Sequence, residues 1–118
     1  MIGEGTVVLV PFPQVETDVP GKIRPAVVVR SLPGGYDDWL ICMVSSRVAQ
    51  SLDGFDEVIS NDDADFIESG LKVRSVIRVA RLAVVHGSTP LGSIGRIDDV
   101  RLQRVRNRIC EWLLSGTR

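Results

Sequence analysis

The sequence carries one histidine, His86, and two cysteines, Cys42 and Cys110, in 118 residues. A single histidine excludes any acid–base mechanism that needs a histidine pair. The cysteines stand far apart, one in a strand-like and one in a helix-like run, with no metal or redox spacing, and read as reduced core thiols of a cytoplasmic protein. No apolar stretch approaches the ~20 residues of a membrane span. The first residues, Met1-Ile2-Gly3-Glu4-Gly5, lack the basic region and apolar run of a signal peptide, so neither membrane insertion nor export is expected. A phosphate-cradling glycine loop and a Cys/His cluster are also missing, and no cofactor or metal is expected. With no repeat, linker or low-complexity tract, residues 1–118 read as a single domain.

The net charge of −1 conceals a division. Residues 48–71 carry seven acids (Asp53, Asp56, Glu57, Asp62, Asp63, Asp65, Glu68) and no base, whereas residues 72–118 carry ten bases and three acids. The acids lack metal-loop spacing. The two segments either build opposed surface patches or pair internally. Arginine supplies twelve of the fourteen bases, the side chain suited to forked phosphate contacts, so a nucleic-acid partner stays open despite the average.

Short β-branched runs separated by turn residues organise the chain. Strands are expected at Thr6–Val10, Pro25–Val29 and Trp39–Ser45, with further strand-like pieces near Glu57–Ser60, Ser75–Val79 and Leu82–His86. Residues 14–22 have loop chemistry, and Asp62–Ser69 reads as a short helical turn ended by Gly70. Asp98 caps a last helix, near 98–114, whose Leu102, Val105, Ile109, Trp112 and Leu113 form one apolar stripe. Arg101, Arg104 and Arg108 line up on its other side, an expected solvated face or else a surface for RNA or an acidic partner. Several short strands followed by one helix predict a mainly β fold, a small barrel with helical additions.

Arg24 is the most constrained candidate for chemistry. The proline after it disfavours helical backbone, and Pro25 opens a strand apolar on both faces, Ala26-Val27-Val28-Val29. A guanidinium held at a sheet edge suits phosphate or carboxylate. The expected dimer follows partly from the same strand, because a sheet apolar on both faces needs cover that a second subunit supplies. His86, beside Gly87, reads as structural or exposed. Glu16 and Asp18, in the loop before Arg24, are candidate general bases or plain loop solubility.

Five motifs stand in order along the chain: Gly5-Thr6-Val7-Val8-Leu9-Val10-Pro11-Phe12-Pro13, Gly21-Lys22-Ile23-Arg24-Pro25-Ala26-Val27-Val28-Val29, Val44-Ser45-Ser46, Ser69-Gly70-Leu71-Lys72-Val73-Arg74-Ser75-Val76-Ile77-Arg78 and Ile94-Gly95. Through them the chain resembles, nearly end to end, the MazF/PemK family of toxin endoribonucleases. It implies an SH3-like or CcdB-like barrel, a homodimer, a cognate antitoxin protein that wraps it, and metal-independent cleavage of single-stranded RNA at short sequences. It also implies a catalytic pair at Arg24 and Ser45, with RNA-binding residues at Lys22, Ser46, Arg47 and Ser75. Two departures accompany it: serine at position 45 where threonine is typical, and Arg74 where a proline commonly precedes the serine matched by Ser75.

Metal-free cleavage takes the substrate's 2′-hydroxyl as nucleophile. Arg24 then serves mainly to stabilise charge on the phosphate, since arginine is a reluctant acid near neutral pH. Ser45 keeps the hydroxyl and loses only the stiffness that a threonine methyl gives. The alternatives are a CcdB-like toxin that binds DNA gyrase, with function concentrated at the last helix near Trp112, or a catalytically weakened binding module of the same fold.

Overall fold

Valine-rich runs give the strands Thr6–Pro11 and Ile23–Ser31 two buried faces, and the sheet's curl lets one chain cover both. The computed structural model describes residues 2–11 and 22–116. Within them six strands run in the chain order β1 (Thr6–Pro11), β2 (Ile23–Ser31), β3 (Asp38–Ser45), β4 (Glu57–Ile59), β5 (Ser75–His86) and β6 (Gly92–Arg96). Helix α1 (Phe66–Ser69) follows β4, and α2 (Asp99–Ser115) follows β6. The strands form one antiparallel sheet in the order β4-β5-β3-β2-β1-β6.

On one face Val7, Val27, Val29, Val44 and Ile77 pack with Phe55, Phe66 and the α2 residues Leu102, Val105 and Ile109. On the other, Val8, Val10, Ala26, Val28 and Ile41 form a second cluster, rimmed by Ile2, Trp39, Met43, Ala83 and Val85. Ala26, Val27 and Val28 are each 0% exposed in the single chain, so β2 needs no second subunit to cover it. Contrary to expectation, this strand's two apolar faces do not call for a dimer.

The sheet's free ends approach through two glycines. Gly70 closes α1 in the left-handed conformation (φ 75°), and a Cβ there would meet the Ile94 carbonyl oxygen at 2.0 Å. A Cβ on Gly95 would meet the Glu68 carbonyl oxygen at 2.0 Å. Only hydrogen at both positions lets α1 lie against β6 and curl the sheet into a half-barrel. Ser69, fully buried, donates from Oγ to the Phe66 carbonyl (2.5 Å) and accepts from the Leu71 N–H (3.2 Å), fixing the turn out of α1.

The acidic and basic segments pair internally. Arg101 is 5% exposed, donating to Asp65 (2.8 and 3.1 Å), Asp63 (3.0 Å), Glu57 (3.1 Å) and the Val58 carbonyl (3.1 Å). Arg104 and Arg108 also pair with Glu57. The arginine row on α2 is therefore not a solvated face: it docks the helix on the β4–α1 segment. Asp98 caps α2 through the Arg101 N–H (2.8 Å), as expected.

Several expected boundaries shift. The pieces near Ser75–Val79 and Leu82–His86 are one strand, bent where its register against β3 slips between Cys42 and Val44. The helix expected near 62–69 occupies only Phe66–Ser69, and the one near 98–114 runs Asp99–Ser115. Leu113 is exposed, off the buried stripe, and Cys110 is an exposed thiol rather than a core one. Cys42 is buried, and burial, with the Asp56 charge second, pushes its thiol up to about 12. Strand β6, with Gly-Ser-Ile-Gly-Arg as its sequence, is an element the β-propensity pattern did not mark. Among the described residues no helix is long and apolar enough to cross a membrane.

Candidate active site

Register brings Arg24 and Ser45 to the same place. β2 pairs with β3 through Ala26↔Met43 and Val28↔Ile41, so two residues further in the same sense lie Arg24 and Ser45, on the same face by strand alternation. β2 begins two residues before Pro25, because its ladder with β1 reaches Pro11↔Ile23. Val28 accepts from the Gly5 N–H on the β1 side, so by alternation the missing N–H of Pro25 faces β3, just beyond the last pair. No ladder bond is lost there, and the end of β3 is free to diverge. The divergence opens a cleft.

That cleft has a volume of about 430 Å³. One wall is Ile23, Arg24 and Pro25, the second Val44, Ser45 and Ser46, the third Gly70–Val73 with Ser75, and Leu9 and Ile94 complete it. Arg24 is half-buried, and its guanidinium forms no hydrogen bond or ion pair with the described residues. Ser45 is 8% exposed, and its Oγ accepts from the Arg47 N–H at 3.1 Å, which orients the side chain and leaves its hydrogen available to donate. Ser75 donates its hydroxyl hydrogen to the Val73 carbonyl (2.8 Å) and keeps only acceptor capacity.

Of the expected site residues, Arg24, Ser45, Ser46 and Ser75 therefore share one cleft, while Lys22 and Arg47 do not line it. Both are exposed and adjoin lining residues in sequence. Glu16 and Asp18 fall outside the described residues. His86 lies elsewhere, half-exposed, its Nδ1 2.7 Å from Ser88 Oγ. Sequence reasoning did not single out Lys72 and Val73, although they sit inside the motif that runs from Ser69 to Arg78.

The electrostatics sort the cations. Arg30, Arg78, Arg96, Arg101, Arg104, Arg106 and Arg108 each face a carboxylate. Among the described residues Lys22, Arg24, Arg47, Lys72, Arg74 and Arg81 form no ion pair, and all but Arg81 line the cleft or adjoin its lining in sequence. Among the described residues no acidic side chain lines the cleft. Five of the six cations without an ion pair among the described residues thus line this opening or stand next to its lining in sequence.

Comparison with known proteins bears on this geometry. The family model described as PemK-like, MazF-like toxin of type II toxin–antitoxin system matches residues 4–113. Among solved structures, MazF from Deinococcus radiodurans superposes with a TM-score of 0.66 at 20% identity, covering 97% of this chain and 96% of that one. The MazE–MazF complex of the same organism gives 0.69 at 17% identity, with 99% of each chain covered. An endoribonuclease in complex with its cognate antitoxin, from a mycobacterial species, gives 0.67 at 8% identity, covering 98% and 97%. At these identities the structures establish a shared fold. No curated protein sequence matches the chain.

Proposed function

Since the chain belongs to the PemK-like, MazF-like toxins of type II toxin–antitoxin systems, we propose that it is a metal-independent endoribonuclease that cuts single-stranded RNA at the Arg24–Ser45 cleft. The observation that carries this reading is the grouping of cations without ion pairs at or beside a cleft that no acid lines among the described residues, while seven other arginines face carboxylates. Endoribonuclease activity is general to the family, and a polyanion is the ligand such an opening attracts.

In the proposed reaction the RNA's own 2′-oxygen attacks phosphorus. The new bond closes a 2′,3′-cyclic phosphate, the P–O5′ bond breaks, the 2′-hydroxyl proton leaves, and the departing 5′-oxygen gains one. Arg24 stabilises the charge that builds on the phosphoryl oxygens, and its lack of a competing partner among the described residues keeps it available. Ser45 donates its free hydrogen to one of those oxygens. The bond from the Arg47 N–H supplies the orientation that a threonine methyl would otherwise give, so serine at position 45 is compatible with full positioning. Lys22, Arg47 and Ser46 hold the flanking strand, and Ser75 accepts from it.

A cognate antitoxin is the expected protein partner, as in the complexes of the structural relatives. A homodimer in the cytoplasm is the expected state, on family grounds. The test is purified protein on total RNA, with the 5′ ends of products sequenced. Wild type is expected to give ends at one short motif that Arg24→Ala fails to produce. A wild type that cleaves nothing but inhibits DNA gyrase supercoiling would replace this reading with the gyrase-binding one.

A further inference from the structure

One cation beside the cleft is held in a way the others are not. Arg74 is exposed and forms no ion pair with the described residues, yet its side chain is fixed, Nε donating to Ser60 Oγ at 3.1 Å. Register accounts for the contact. β4 pairs with β5 through Val58↔Val76 and Ile59↔Ser75, and one more step in that sense sets Ser60 opposite Arg74. Ser60 is itself anchored: its N–H donates to Asp63 Oδ2 (2.8 Å), an oxygen that also accepts from Arg101 (3.0 Å). The Asp63 charge is therefore answered by Arg101 rather than by Arg74. A hydroxyl that accepts from Nε orients the guanidinium without cancelling its charge, and it leaves the Nη1 and Nη2 hydrogens free of partners among the described residues. The side chains of Lys22, Arg24, Arg47, Lys72 and Arg81 have no such anchor among the described residues.

The ladders also place this arm relative to Ser45. β3 meets β5 at Ser45↔Val76, and residues paired across a ladder share a face of the sheet. Arg74 stands two residues before Val76, so it takes the face of Ser45 and hence of Arg24. The diagonal from Ser45 to Arg74 spans about 7–8 Å. A strand whose scissile phosphate lies at Arg24 and Ser45, and which runs across β3 toward β4, passes over that diagonal. We propose that Arg74 is a phosphate subsite for the flanking strand, its Nη1 and Nη2 gripping a phosphate beyond the scissile one while Ser60 holds the fork in place. Proline, the common residue here in the family, has no donor to offer, so the contact is particular to this chain. The inference rests on the endoribonuclease reading for the scissile position, but the charge contact is measurable without cleavage.

The experiment is fluorescence anisotropy on a single-stranded 2′-O-methyl RNA of randomised sequence, which cannot be cut, titrated with wild type, Arg74→Ala, Ser60→Ala and Arg81→Ala over a range of salt. Arg74→Ala is expected to weaken binding about threefold to tenfold at low salt and to reduce the log–log salt slope by about 0.7, the share of one phosphate contact. Ser60→Ala should keep the slope and weaken binding about twofold, because it loosens the arm and leaves the charge. Arg81→Ala, which removes an exposed cation away from the cleft, should change neither. On cleavable RNA, Arg74→Ala should raise KM by the same factor at unchanged kcat, and that effect should vanish when the substrate is shortened on one side of the cut but not on the other. An unchanged slope in Arg74→Ala, or an equal loss of slope in Arg81→Ala, overturns the subsite and leaves the nuclease reading intact, as does a loss confined to kcat. The expected slope change in a protein that cleaves nothing supports the subsite and overturns the nuclease.

Discussion

Replacing Arg101 tests whether the acidic and basic segments are held together as the fold requires. Its guanidinium is nearly enclosed, with bonds to Asp65, Asp63, Glu57 and the Val58 carbonyl at 2.8–3.1 Å. Glu57 keeps Arg104 and Arg108 when Arg101 is lost, whereas Asp65, 3% exposed, keeps only the Asp98 N–H (3.1 Å) among its partners from α2. Arg101→Met therefore strands one buried carboxylate, at a cost of about 3–5 kcal/mol. That is a large share of the roughly 6–18 kcal/mol expected for a chain of this length. Arg101→Lys keeps the charge but not the fork and should lose about 1–3 kcal/mol.

The pH dependence has a definite sign. Burial pushes the Asp65 carboxyl up, but the Arg101 bond, the Asp98 N–H and the Arg101 charge together hold it below its ordinary 3.8. In wild type this group's contribution is complete above about pH 4 and is lost as pH falls through the depressed folded value. In Arg101→Met burial acts with little opposition, Asp65 takes a proton at higher pH, and the deficit shrinks as the medium is acidified. Urea unfolding followed by Trp39 and Trp112 fluorescence at pH 7 and near pH 4.5 measures both. A deficit under about 1 kcal/mol at pH 7, or one identical at the two pH values, would refute the reasoning.

Gly70→Ala should destabilise the fold by about 2–4 kcal/mol in urea melts, because the methyl collides with the Ile94 carbonyl and the residue sits at positive φ. Binding of an uncleavable oligonucleotide should weaken with salt at a log–log slope of about −3 if Lys22, Arg24, Arg47 and Lys72 each meet a phosphate, and Arg47→Ala should reduce that slope by about 0.7. A slope near zero would remove RNA from the cleft. Native protein should react with a disulfide reagent at Cys110 alone, Cys42 reacting only after unfolding, as thiol counts before and after denaturant will show.

Much of this was legible in the sequence, and the failures have physical causes. Strands β1 and β2 were readable because proline bounds their β-branched runs, β3 because an apolar run follows the Pro33-Gly34-Gly35 turn, and α2 because Asp98 and an apolar stripe mark it. β6 was not, since its two glycines are poor strand formers and Gly95 serves close packing against α1. The arginine row of α2 looked solvated because its partners lie between 36 and 53 residues away in the chain, where helical periodicity carries no signal. Arg24 stood out from the proline and strand that follow it, Ser45 was identified by resemblance, and register brings the two into one cleft. The wall at Lys72 and Val73 depends on how α1 turns at Gly70, which only the packed fold reveals.

The most direct test of the central claim is the chemistry of the product. An RNA carrying the protein's cleavage motif is incubated with wild type, Arg24→Ala and Ser45→Ala in EDTA, alongside the same RNA with one 2′-deoxy sugar at the cut. The account predicts a 2′,3′-cyclic phosphate and a 5′-hydroxyl from wild type, no cut at the deoxy position, and a rate lowered by about 10²–10³ in folded Arg24→Ala, because one preorganised charge is missing from the transition state. Folded alanine variants that cleave at the wild-type rate, or cleavage that survives loss of the 2′-hydroxyl, would contradict it.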